Sequence, residues 1–243
     1  MTKQQTKKSV SSPVSPSDSE TAALKFSEPL QMDLSNHFLI AMPAMQDPIF
    51  GGSVVFLCEH NADGAMGVVI NKATDMTMDI LLERIDLKLI SDDVVSPQIS
   101  PLMERMTSAN ASADKGDKIT LPLTKRPVMF GGPVQAERGF VLHSPPTAYS
   151  STVKVSDQVA ITFSKDVLEE VAHAIGPERM LVSIGCSSWT PGQLENEIAR
   201  NDWLTVAADP EIIFGMPIAE RFAAAIKLLG IDPYLLSAGS GRA

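Results

Sequence analysis

A chain of 243 residues with 44% hydrophobic residues can build one large domain or two small ones around a sizeable core, which excludes a disordered or fibrous protein. Net charge is −9, and because the first thirty residues carry four lysines against three carboxylates, the remainder carries −10. Such a body repels a phosphate backbone and no run of Lys and Arg offsets it, so direct nucleic-acid binding is disfavoured.

The two cysteines, Cys58 and Cys186, make neither a disulfide framework nor a metal quartet. Both sit in or beside apolar strand-like runs, where a free thiol behaves as a small buried hydrophobe. The N-terminal lysines are not followed by the apolar stretch of a secretory signal. No segment approaches the ~18 uninterrupted apolar residues of a membrane span. A cytoplasmic protein without membrane association is expected.

In chain order, residues 1–30 are dominated by Ser, Pro, Lys and Thr and read as a disordered leader; 31–243 reads as a single domain. Its first apolar run, His37 to Met42, stops at Pro43. Ser53 to Cys58 and Met66 to Ile70 are β-rich runs joined by a polar loop that closes on Asp63-Gly64, the pattern of an antiparallel hairpin. Met78 to Leu87 has helical spacing. From about 91 to 125 periodicity dissolves into Ser, Asp, Pro, Asn, Lys and Gly, which predicts a mobile insertion. Strand character returns at Pro127 to Phe130, Gly139 to His143, Val153 to Val155, Val159 to Phe163 and Met180 to Ile184. Ser164 is placed to cap a helix that Gly176-Pro177 ends. Thr190-Pro-Gly-Gln193 predicts another, with Thr190 as N-cap and Gln193 completing a capping box. Trp203 to Val206 and Ile212 to Phe214 read as short extended pieces, and Pro217 opens a last helix that Gly230 ends. Antiparallel strands interrupted by about four helices, without regular β-α-β alternation, predict an α+β fold.

His37 to Met45 with Asp47-Pro48 and Phe50, then Val54 to His60, then Gly64-Ala-Met-Gly67 with Asn71, resemble the opening of the YqgE/AlgH family. Gly131-Gly-Pro-Val with Arg138-Gly-Phe and Leu142-His143 resemble its middle signature. Trp189 with Gly192-Gln-Leu-Glu195, Glu197, Asn201 and Trp203-Leu204 resemble its third. The blocks run in the family's order through residues 34 to 236 and leave the leader and the 91–125 insertion outside. The resemblance implies a bacterial cytosolic protein with a mainly antiparallel sheet, a small barrel-like β core and flanking helices. It implies little about activity: one branch carries a transcriptional-regulator label, which for this chain points to an indirect role in transcriptional regulation. It brings no established catalytic residues.

Three places carry candidate chemistry. Loop residues His60 and Asn61, with Asn71 after the hairpin, offer an imidazole that titrates near neutrality; the competing role is an Asx turn closing the hairpin. Gly131 and Gly132, with Arg138 and His143 downstream, permit close backbone approach to an anion clamped by the arginine; a plain glycine turn between strands is the alternative. Cys186, where a strand meets a helix N-terminus, is a candidate nucleophile with a depressed thiol pKa. Trp189 and Trp203 read as core anchors and His173 as solvated. The four histidines lack metal-ligand spacing, so neither metal nor cofactor is expected. With no complete catalytic constellation, the chain reads as a non-enzymatic binding or regulatory domain for a small ligand or protein partner. The alternative is a hydrolase or transferase whose pocket joins His60, Arg138 and His143.

Overall fold

The computed structural model describes residues 33–88, 122–173 and 175–230. The leader and most of the presumed insertion lie outside the described residues. Within the stretch read as an insertion, however, Leu123–Lys125 forms a 3-10 turn on the body: Leu123 packs into a core cluster and Lys125 pairs with Asp79 at 3.0 Å.

Among the described residues ten strands form one mainly antiparallel sheet: β1 His37–Ala41, β2 Val54–Asn61, β3 Gly64–Val69, β4 Ala73–Thr77, β5 Pro127–Phe130, β6 Val134–Ser144, β7 Thr152–Lys154, β8 Ala160–Thr162, β9 Arg179–Trp189 and β10 Trp203–Ala207. Neighbours run β10-β1-β2-β3-β9-β6-β8-β7, with β4 beside β5 and β5 parallel to β9. Five α-helices among the described residues accompany them: α1 Met78–Arg84, α2 Asp166–Ala172, α3 Gln193–Ala199, α4 Pro210–Phe214 and α5 Arg221–Leu228. The chain is therefore α+β, its sheet curled into a half-barrel.

The strand runs are continuously apolar, rather than alternating, because both faces of the sheet are covered. Phe38, Ile40, Val54, Phe56, Phe140, Leu142 and Leu181 point into the curl, where Ile212 and Ile213 of α4 and Ala225 and Ile226 of α5 close the core. Their neighbours Leu39, Val55 and Leu57 face outward to Trp189, Trp203 and Leu194 of α3. Val141 and Val182 face out to α1 and α2 through Leu81, Leu82, Val167 and Val171.

β9 joins the two halves of the sheet. Its early residues pair with β6 and β5, and Ser187 to Trp189 pair with β3. The change occurs at Gly185 (φ +74), opposite the Gly131-Gly132 turn. A Cβ on Gly131 would lie 2.1 Å from the Gly185 carbonyl oxygen, and one on Gly132 would lie 2.4 Å from the Cys186 backbone. On β6, Gln135 to Arg138 loop out between the paired Val134 and Gly139.

Several local expectations need correction. Residues 212–214 are helical: Asp209 caps α4 by accepting the Glu211 N–H at 2.8 Å, and Pro210 takes the first helical position. Ser164 does not cap α2, whose N-cap is Lys165; its hydroxyl donates to Asp166 instead. α2 ends at Ala172, and Ile175 is left 70% exposed. The N-cap of α3 is Gly192 (φ +76), not Thr190, although Gln193 still reaches back to the Thr190 N–H at 3.0 Å.

Gly131→Ala should lower the unfolding free energy in urea by more than about 3 kcal/mol, since backbone cannot yield to the new methyl as a flexible side chain would. Gly139→Ala, whose Cβ would meet nothing within 4 Å, should change it by less than about 0.5 kcal/mol.

Candidate functional site

The candidate residues from the sequence do not gather. His60 stands opposite Ala65, which stands opposite Trp189 on β9, whereas His143 stands opposite Met180. From Met180 to Trp189 is nine residue steps, about 30 Å of strand at ~3.3 Å per residue. Arg138 lies exposed in the β6 loop-out, stacked over Phe163 at 5.3 Å and Phe140 at 5.9 Å. None of these three side chains lines the cleft described below.

Each is committed to the fold. The His60 ring is buried, and its Nδ1 accepts the Leu34 N–H at 3.0 Å. The proton must therefore sit on Nε2, which donates to Glu195 Oε1 at 3.1 Å. Neither nitrogen is left to act as a base. Asn61 closes the hairpin as an Asx turn, accepting the Asp63 N–H at 2.8 Å, while its amide donates to Glu59. Asn71 clamps the start of β2, accepting from Val54 N–H at 2.8 Å and donating to the Gly52 carbonyl at 2.9 Å.

His143 is wholly buried in a chain of hydrogen bonds whose proton order follows from its two ends. The Tyr149 N–H can only donate, so it gives to Thr152 Oγ1 at 2.9 Å. At the other end the Pro145 carbonyl can only accept, so His143 Nδ1 carries the ring proton, Nε2 accepts from Thr162 Oγ1 at 2.9 Å, and Thr162 in turn accepts from Thr152 Oγ1 at 2.7 Å. The Nδ1–H points to the Pro145 carbonyl at 3.2 Å. Burial holds the imidazole pKa below its ordinary 6.5, a trend the Pro145 contact only partly opposes.

The glycine turn is filled by protein. Gly131 N–H donates to Ile184, and its carbonyl accepts from Val69 N–H and Ser187 Oγ. The β9 backbone occupies the space against which an anion would rest. Cys186 lies inside β9 rather than at a helix N-terminus, is 2% exposed, and has its thiol pushed up by burial, the reverse of an activated nucleophile. Trp189 and Trp203 are buried anchors, as expected: both indole N–H groups donate to Glu197 Oε2 at 2.8 Å, and their rings meet Phe50. His173 is exposed. Among the described residues no three His, Cys, Asp or Glu side chains gather as metal ligands, and no helix is long and apolar enough to cross a membrane.

An apolar concave feature lies elsewhere. A cleft of about 820 Å³ opens where the α4–α5 segment meets the first residues of β5 and β9. Met78, Met129, Met180, Leu181 and Phe214 give it apolar walls, and Arg126, Arg179 and Arg221 bring cations to it. Arg179 is bound to Glu211 at 2.6 Å and lies over Phe214. Arg221 is 7% exposed; its Nε donates to the Met216 carbonyl at 3.1 Å and its Nη1 to the Ile70 carbonyl. Burial lowers its guanidinium pKa to about 10. Sequence inspection missed this site because its lining comes from widely separated segments. One signal was present, an arginine at the first position of an apolar helix, where the dipole disfavours a cation.

Because the folded pKa of His143 lies below 6.5, its contribution is intact above 6.5 and drains as pH falls from there toward the folded value. Urea unfolding should show a loss of stability as pH falls from 7.5 to 5.5 that is smaller in His143→Gln. Glu197→Ala strands two buried indole N–H donors and should cost about 2–4 kcal/mol in the same assay.

Comparison with known proteins bears on the whole body. Residues 38–234 match a family model described as AlgH-like. A UPF0301 protein of Ralstonia nicotianae is 49% identical over 212 residues, covering 87% of this chain and 96% of that protein. A UPF0301 protein of Cupriavidus metallidurans is 50% identical over the same shares. Among solved structures, the AlgH protein from Pseudomonas aeruginosa is 38% identical with a TM-score of 0.62, over 90% of this chain and 100% of that one. A protein from Corynebacterium diphtheriae shares the fold at 18% identity and a TM-score of 0.57, over 89% and 94%. With a family model spanning most of the described body and relatives near half identity along nearly their full length, the chain belongs to the YqgE/AlgH family.

Proposed function

We propose that this domain is a non-enzymatic binding module of the bacterial cytoplasm, and that it takes a small ligand with an apolar body into the cleft between the α4–α5 segment and the starts of β5 and β9. The observation that carries this is the cleft itself. Its volume of about 820 Å³ lies within the range of small-molecule sites, and its apolar walls of methionine, leucine and phenylalanine are bordered by the charged Arg126, Glu178, Arg179, Glu220 and Arg221. Methionine side chains are flexible and polarisable, which suits a surface that adapts to what it holds.

Catalysis at the residues singled out in the sequence lacks the geometry it requires. His60 and His143 have both ring nitrogens engaged, and the β9 register separates them. The net charge of −10 beyond residue 30 works against a duplex partner, so any influence on transcription runs through the bound ligand or a protein that senses it.

Nile red, a neutral dye that brightens in apolar surroundings, should bind at one saturable site. Met180→Trp, which fills part of the cleft, should abolish that signal while the circular dichroism spectrum and cooperative melting persist. Dye binding that is absent, or indifferent to the substitution, would overturn the assignment.

A further inference from the structure

The cleft holds a cation without a counter-charge. Among the described residues no carboxylate lies within ion-pair distance of the Arg221 guanidinium. Two of its five N–H donors are taken by the Ile70 and Met216 carbonyls, and Nη2 has no partner among these residues. Nη2 is not sealed in the core, since Ser53 Oγ is the only fully enclosed, unpartnered side-chain polar atom among the described residues. The exposed remainder of Arg221 therefore faces the cleft that the residue lines.

The surroundings sharpen this charge. Arg221 opens α5, so the positive end of the helix dipole adds to its field. Glu178 and Glu220 also line the cleft, but both are exposed residues whose charges water screens. Arg179 is already neutralised by Glu211. One buried, uncompensated cation thus sits beside apolar walls, and a desolvated charge of this kind is stabilised most by a single opposite charge delivered with its own hydrogen-bond acceptors.

Resting on the cleft assignment above, we propose that the ligand is a monoanionic amphiphile, a carboxylate on an apolar chain. The carboxylate oxygens accept from the Nη2 edge of Arg221, and the chain lies along Met78, Met129, Met180, Leu181 and Phe214. A single negative charge matches the single buried cation, because Arg126, which also lines the cleft, is partly exposed and screened by water; a dianionic head would carry a second charge into an already negative body. The two backbone carbonyls fix the guanidinium before the ligand arrives, so the head meets a preorganised donor.

The probe pair is decanoate and decanol, equal in chain and different in head. Calorimetric titration should show decanoate binding at least tenfold more tightly than decanol, with each displacing Nile red. In Arg221→Gln the preference should fall below threefold while decanol affinity is kept, and Arg221→Lys should retain part of it. Because Arg221 also ties two backbone carbonyls, loss of folding in the Gln variant is covered by a measurement on the unaltered protein. Carboxyl-labelled decanoate, titrated by 13C NMR when bound, should ionise at lower pH than when free. If decanoate binds no better than decanol, or if its bound carboxyl titrates as in water, the anionic-head assignment is overturned while the cleft stands. If neither amphiphile displaces the dye, the cleft assignment fails with it.

Discussion

Where β9 passes the Gly131-Gly132 turn, two stretches of backbone lie closer than any Cβ permits, and the curl of the sheet follows from that approach. Gly185 adopts a left-handed φ and lets β9 leave its β5 partner for β3 while keeping β6 on its other edge. Without that change of partner the β1–β2–β3–β10 layer and the β5–β6–β8 layer would be separate sheets, each with an open face. With it, Phe38, Phe56, Phe140 and Leu181 look into one interior, and α4 and α5 have a single concave surface to close. The cleft is a by-product of that closure. The early residues of β9 and β5 reach past the core, and the short turn between α4 and α5 spans them without filling the space.

The strands were legible in the sequence because covering both faces of a sheet demands unbroken apolar runs, and Phe38 to Ala41 and Val54 to Cys58 have them. Helix boundaries were less so. Ile212-Ile-Phe214 has β-type composition, yet Asp209-Pro210 carries the stronger signal, a side-chain cap followed by proline at the first helical position. Local capping chemistry outweighs the composition of three residues when the segment must pack as a helix against the core. At Thr190 the capping box is half realised: Gln193 binds back to the Thr190 backbone, but Gly192 in the left-handed region starts the helix two residues later.

The site was scarcely legible, for a different reason. Polar residues next to apolar strands attract attention in a sequence, and here most of them satisfy buried backbone. His60 receives Leu34, Asn71 receives Val54, and Gly131 leaves room for β9. The groups that line the cleft are methionines and arginines drawn from chain segments far apart, and only folding brings them together. Arg221 reads in sequence as one more charge near a helix start. Its meaning lies in a burial and an unpaired charge that no local pattern reports.

The same hydrogen-bond logic that removes the histidines from catalysis singles out Arg221. A neutral imidazole has one donor and one acceptor, so two fixed neighbours exhaust it, as Leu34 and Glu195 exhaust His60 and as Thr162 and Pro145 exhaust His143. A guanidinium has five donors and no acceptor, so two carbonyls leave it both positively charged and able to donate further. Neutral carbonyls satisfy hydrogen-bond geometry but offset only part of the cost of burying a full charge. The residual cost is carried by a domain whose charge beyond residue 30 is −10, and in which nearby carboxylates are available to evolve into partners. That Glu211 pairs with Arg179 at 2.6 Å, while Arg221 is held by backbone alone, leaves one buried positive charge open to the cleft. Histidines that hold strands together, and one buried, preorganised cation beside flexible apolar walls, favour the proposed anion-binding role over proton transfer.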